Sequence, residues 1–144
     1  MVAANESNVT MLPTDRRPVV FPGGLPGFPD LRRFHLVADP SFSPPFELLA
    51  SEDDAAVAFY VIDPALIDSG YAPQMPPTDW AQIQAGPTDD VCLRVIITVG
   101  SDAQHTTANL AAPLVLNLTA GLGCQSILED DSYSLRTPLI AHEG

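Results

Sequence analysis

Val91-Cys92-Leu93-Arg94-Val95-Ile96-Ile97-Thr98-Val99 is the clearest strand in the chain. Alternation puts Val91, Leu93, Val95, Ile97 and Val99 on one face, with Arg94 and Thr98 on the other. That pattern predicts a half-exposed strand, although Cys92 and Ile96 blur it.

Outward from this run, seven further β-rich segments stand between turn residues. They are Val19–Phe21, Arg33–Ala38, Phe46–Ala50, Val57–Asp63, Thr106–Leu110, Leu114–Leu118 and Cys124–Glu129. Fifteen prolines among 144 residues lie between the apolar runs and leave little room for helices of average length. Leu114–Leu118 and Cys124–Leu128 read as a hairpin over the loop Thr119-Ala120-Gly121-Leu122-Gly123, whose glycines tolerate positive φ. Helix is expected only as single turns. Asp63-Pro64 can cap one, and Thr78 can cap another over Asp79–Gln84, with Trp80 and Ile83 on a shared face. Eight short strands in one small domain predict an all-β, antiparallel, barrel-like fold, because closure removes sticky edges. The expected organisation is a polar, partly disordered segment over residues 1–17 and one barrel domain over 18–144.

Composition narrows the function classes. Hydrophobic residues make up 46% of the chain, enough for one core, and no apolar run approaches the roughly 20 residues that span a bilayer. The N-terminus lacks the basic-then-apolar order of a signal peptide, so a cytoplasmic location is expected. Eighteen acids face six arginines and no lysine, a net charge of −12. Such a chain should be repelled by nucleic acid and anionic membranes and attracted to basic proteins. Cys92 and Cys124 have no ligand spacing and read as free structural thiols.

Catalytic chemistry is thinly represented. His35, His105 and His142 stand apart from one another and from the cysteines, so no cofactor or metal is expected. The stretch Gly23-Gly24-Leu25-Pro26-Gly27 lacks the Lys-Ser/Thr of a phosphate loop and reads as a tight turn. Acids cluster at Glu52-Asp53-Asp54, Asp89-Asp90 and Glu129-Asp130-Asp131, each beside a strand end. These eight are the candidate partner-binding residues. The competing reading is an enzyme or small-ligand barrel that uses the clusters at one mouth, with paired carboxylates as acid and base.

Val20-Phe21-Pro22-Gly23-Gly24-Leu25-Pro26-Gly27-Phe28, followed by Leu31-Arg32-Arg33-Phe34, resembles the opening motif of the FliW family of flagellar assembly factors. Further stretches resemble the family in order: Leu49–Asp53 leading to Ala58–Pro64, Tyr71-Ala72-Pro73, Asp90–Val99, Thr107–Asn117, and a tail from Gln125 to Leu139. The prolines and glycines of the opening motif also have a physical reading. They force a stiff corner, and Phe21, Leu25 and Phe28 can plug the end of the domain. Asn109 and Asn117 can bond backbone across a corner made by Pro113. Family members often open with a glycine-containing strand; here Asn5–Arg17 has no glycine, and a first strand there is left unassigned.

The resemblance implies a small β-barrel, monomeric when free, that binds flagellin as a cytoplasmic chaperone. It also implies binding of the translational regulator CsrA, which relieves repression of flagellin translation. A basic RNA-binding partner and a chain at −12 are electrostatically complementary.

Overall fold

A computed structural model describes residues 16–38, 46–129 and 132–139. Among the described residues nine strands form one continuous sheet: β1 (Arg16–Val20), β2 (Arg33–Ala38), β3 (Glu47–Ser51), β4 (Ala58–Ile62), β5 (Val91–Thr98), β6 (Thr107–Ala108), β7 (Leu114–Asn117), β8 (Leu122–Gln125) and β9 (Thr137–Pro138). Seven follow the order β4-β3-β2-β1-β8-β7-β5, and β4 pairs back onto β5 through Val61–Ile96 and Ile62–Val95 to close a barrel. β6 and β9 extend from the far end of β5. The all-β expectation holds: the described residues add to the strands one short helix, α1 (Pro77–Ile83), and 3-10 turns at Pro64–Leu66 and Ala103–His105.

One seam departs from the antiparallel pattern. β1 runs parallel to β8 and meets it at a single residue pair, Val20–Leu122. Val20 N–H donates to the Gly121 carbonyl at 2.8 Å on this side. Alternation turns Pro18 to the same side, where a missing N–H breaks no ladder and blunts an otherwise open edge.

Cross-strand partners share a face, so the register sorts every side chain. Val19, Phe34, Leu36, Leu49, Val61, Leu114 and Leu116 fill the barrel interior, all nearly inaccessible. Phe21 and Leu25 close one end, with Phe21 edge-on to Phe34 at 5.4 Å. Phe28 lies over Phe59 at 5.7 Å and stays partly exposed. The stiff corner therefore plugs the domain, as its residues suggested.

Two more cores lie outside the barrel. Ile83 of α1 packs on Val115 and Cys124, with Val91 and Leu93 alongside. Ile62, Val95, Ile97 and Leu110 are covered by Tyr71, Tyr133 and Leu139. These outer layers overturn the half-exposed reading of β5. Its Val91–Ile97 face is covered from outside, while the face carrying Cys92, Arg94 and Ile96 looks into the barrel. Both faces are packed, which is why the alternation was blurred. Val99 lies beyond the strand and is exposed.

Several local expectations shift. β8 begins at Leu122, not Cys124, so the hairpin loop is Leu118–Gly121, with Gly121 at positive φ. Asp63 does cap its turn, accepting from Ala65 N–H at 3.0 Å. Thr78 is not a cap: α1 starts at Pro77 after Pro76, whose fixed φ suits a helix start. Ile83 is buried, whereas Trp80 remains 41% exposed, since α1 buries too narrow a stripe to include both. Asn109 and Asn117 each accept from backbone two residues ahead, and Pro113 is instead bridged by Ser126 N–H. The structure places Arg16 and Arg17 in β1, inside the stretch left unassigned; the preceding residues lie outside those described.

Candidate functional site

The described acids of the three clusters do not form one site. Glu52-Asp53-Asp54 occupy the β3–β4 turn, where Ser51 Oγ accepts from the N–H groups of Asp53 and Asp54 at 3.0 Å each. Asp53 Oδ2 accepts from the backbone of Arg33 and Arg32 at 3.0 and 3.1 Å. Its Oδ1 takes Arg33 Nε and Nη2 at 2.9 and 2.7 Å. These bonds, the Arg33 backbone first, hold Asp53 down at about 2. Asp53 is thus a fastener between β2 and the turn. Asp54 caps Ala56 N–H, and Glu52 lies 3.4 Å from His35, whose other neighbour is Arg16 at 3.3 Å. Burial, then Arg16, pushes His35 below its ordinary value.

Asp89-Asp90 lies at the other end of β1. Asp89 accepts from Gly86 N–H and Asn117 Nδ2, both at 2.9 Å, and these bonds lower its pKa. Asp90 faces Arg17 at 3.7 Å, a loose pair with both side chains more than half exposed. Arg17 and Arg33 pair with Leu36 and Val20 respectively, so Asp90 and Asp53 flank opposite ends of one strand. Glu129 borders a shallow pocket elsewhere, with Gln74, Met75 and Pro76. Asp130 and Asp131 lie outside the described residues. Glu52, Asp54, Asp90 and Glu129 remain as exposed carboxylates, in the β3–β4 turn, just before β5 and after β8.

A general acid of the paired-carboxylate kind needs a raised pKa. The carboxylates that shift here, Asp53, Asp89 and Asp102, all move down, because each is held by donors. Among the described residues no three His, Cys, Asp or Glu side chains gather as a metal site. No described helix is long and apolar enough to cross a membrane. Cys92 and Cys124 are free, on opposite faces of the sheet, and burial raises both thiols, Cys124 to about 11.

Residues that composition alone did not single out mark one barrel mouth. Arg17, Glu47 and Arg94 pair across the sheet with the buried Leu36, Val61 and Leu114, so all three occupy inward positions. Arg94 Nε donates to Glu47 Oε1 at 2.7 Å, and Nη1 donates to the Leu93 carbonyl at 2.8 Å. The available signal was a lone arginine inside the apolar run Val91–Val99.

Comparison with known proteins bears on the whole chain. Residues 4–139 match the family model described as FliW protein. A flagellar assembly factor FliW from Symbiobacterium thermophilum is 38% identical over 119 residues, covering 83% of this chain and 86% of the relative. One from Thermotoga maritima is 36% identical over 124 residues, covering 85% and 83%. A crystal structure of the flagellar assembly factor FliW superposes with a TM-score of 0.78 at 33% identity, covering 92% of this chain and 91% of that one.

Proposed function

The chain belongs to the FliW family of flagellar assembly factors, and on that premise we propose that it acts by binding proteins and not by catalysis. In this reading it is a cytoplasmic adaptor that chaperones flagellin and binds a CsrA-type regulator, relieving repression of flagellin translation. The observation that carries the reading is the family match across residues 4–139. Electrostatics support it: at −12 the chain attracts a basic RNA-binding protein and repels the RNA. Its carboxylates are spread over several parts of the fold and the shifted ones are held ionised, an arrangement suited to steering and unsuited to acid–base chemistry.

The test is size-exclusion chromatography of the purified full chain with purified flagellin and with purified CsrA from the same organism. A stable complex with each is expected. Binding flagellin alone would leave a relative that lost the regulator, and binding neither would overturn the reading.

A further inference from the structure

We propose that the barrel mouth around Arg17, Glu47, Asp90 and Arg94 is a binding site for a small zwitterion of amino-acid size, a function beyond partner binding. The mouth holds a half-open cavity of about 290 Å³, just under the roughly 300–1,000 Å³ typical of ligand pockets. Leu36, Cys92 and Leu118 complete its wall.

Three features set it apart. The chain has six arginines, and two of them line this one cavity. Both come from positions that the barrel register turns inward, where the neighbouring positions along the same strands, Val19 and Ile96, pack on the core. Charged groups at inward positions are costly to desolvate, and a half-buried pair such as Arg94–Glu47 seldom outperforms apolar residues of the same shape. Stability alone therefore gives little reason for Arg94 and Glu47 to be there.

The donors and acceptors are also incompletely used. Among the described residues, Arg94 spends Nε and Nη1, and Nη2 has no protein acceptor. Arg17 stands 3.7 Å from Asp90, beyond a good hydrogen bond. Among the described residues, Glu47 accepts through Oε1 and its Oε2 has no donor. Two guanidinium groups can thus receive a carboxylate in the forked geometry arginine favours. The Glu47 and Asp90 oxygens can receive an ammonium, while Leu36 and Leu118 contact methylenes. The lining carries two cations and two anions, so it is locally neutral. The surrounding −12 opposes a net anion, and a cation alone would leave the guanidinium donors of Arg17 and Arg94 unmet, so a ligand carrying both signs fits best.

The test is an NMR titration of the ¹⁵N-labelled full chain with glycine and with γ-aminobutyrate. Acetate and n-butylammonium at matched ionic strength serve as one-sign controls. Saturable shifts at the amides of Arg17, Cys92 and Arg94 are expected with a zwitterion and not with either control. Two variants decide the site: Arg94→Met with Glu47→Met, which removes the pair together, and Arg17→Gln at a half-exposed position that cannot endanger the core. Each should weaken binding by about tenfold or more, the worth of one hydrogen bond to a charged group. Absence of saturable shifts, equal binding of the one-sign controls, or unchanged affinity in the folded variants would overturn the proposal.

Discussion

Asn117 Nδ2 donates to Asp89 Oδ2 at 2.9 Å, and the same nitrogen reaches the Ile83 carbonyl at 2.9 Å. Through its Oδ1, Asn117 also accepts from the N–H groups of Thr119 and Ala120 at 3.1 Å each. One fully buried amide therefore ties the end of β7, the hairpin loop, the last turn of α1 and the Gly86–Asp89 turn together. Asp89, a candidate partner-binding acid by sequence, is spent on this junction. Replacing Asn117 with Ala strands buried polar groups, each worth about 1–3 kcal/mol. Asn117→Ala should lower the urea midpoint accordingly, with the slope unchanged.

Asp53 should govern part of the acid limb of stability. Its folded pKa, about 2, lies below the roughly 3.9 of an unfolded aspartate. The unfolded chain then binds the proton first, so stability rises with pH across this window. The contribution is complete above the unfolded value and is lost as pH falls towards 2. Chemical denaturation of Asp53→Asn at stepped pH should show a flatter acid limb than the parent chain.

The two thiols should be slow. Burial raises Cys92 and takes Cys124 to about 11, leaving little thiolate at neutral pH. A thiol-reactive chromogenic disulfide should label the native protein slowly and label two thiols promptly in denaturant, with or without prior reductant. Prompt labelling in the native state would contradict the packing of both residues.

Gly123 is an inward position kept empty for its neighbours. A Cβ there would lie 2.9 Å from Leu116 Cδ2 and Val19 Cγ1, and 3.0 Å from Phe21 Cε2. All three are core side chains with nowhere to retreat. Gly123→Ala should cost about 1–3 kcal/mol through overpacking, read as a fall in thermal midpoint.

Charge near the C-terminal acids should act on association. On the proposed function, neutralising Glu129, Asp130 and Asp131 to Gln, Asn and Asn should slow association with a CsrA-type regulator and flatten its salt dependence. Dissociation should change little, since a single rim carboxylate adds only about 0.2–1 kcal/mol. Surface plasmon resonance at two salt concentrations measures both rates. A wild-type on-rate with an unchanged salt slope would move the steering to Glu52, Asp54 and Asp90.

By itself, the sequence determined the class of fold and the family. Short β-branched runs between prolines and glycines leave the chain few alternatives to a closed β architecture, and the Phe21–Phe28 corner is written in local backbone restrictions. Those are short-range effects, so they are legible along the chain. Which side of β5 faced inward was not legible, because alternation reports that two faces differ and not what covers each. Only the closure of β4 onto β5, with α1 and the Tyr71–Tyr133 cover outside, turned Arg94 from an expected surface residue into the lining of a barrel mouth. The acids followed the same logic: adjacent in sequence, Asp53 and Asp54 looked alike, yet only Asp53 meets Arg32 and Arg33. Hydrogen-bond partners twenty residues away are a property of the packed barrel, and no local pattern encodes them.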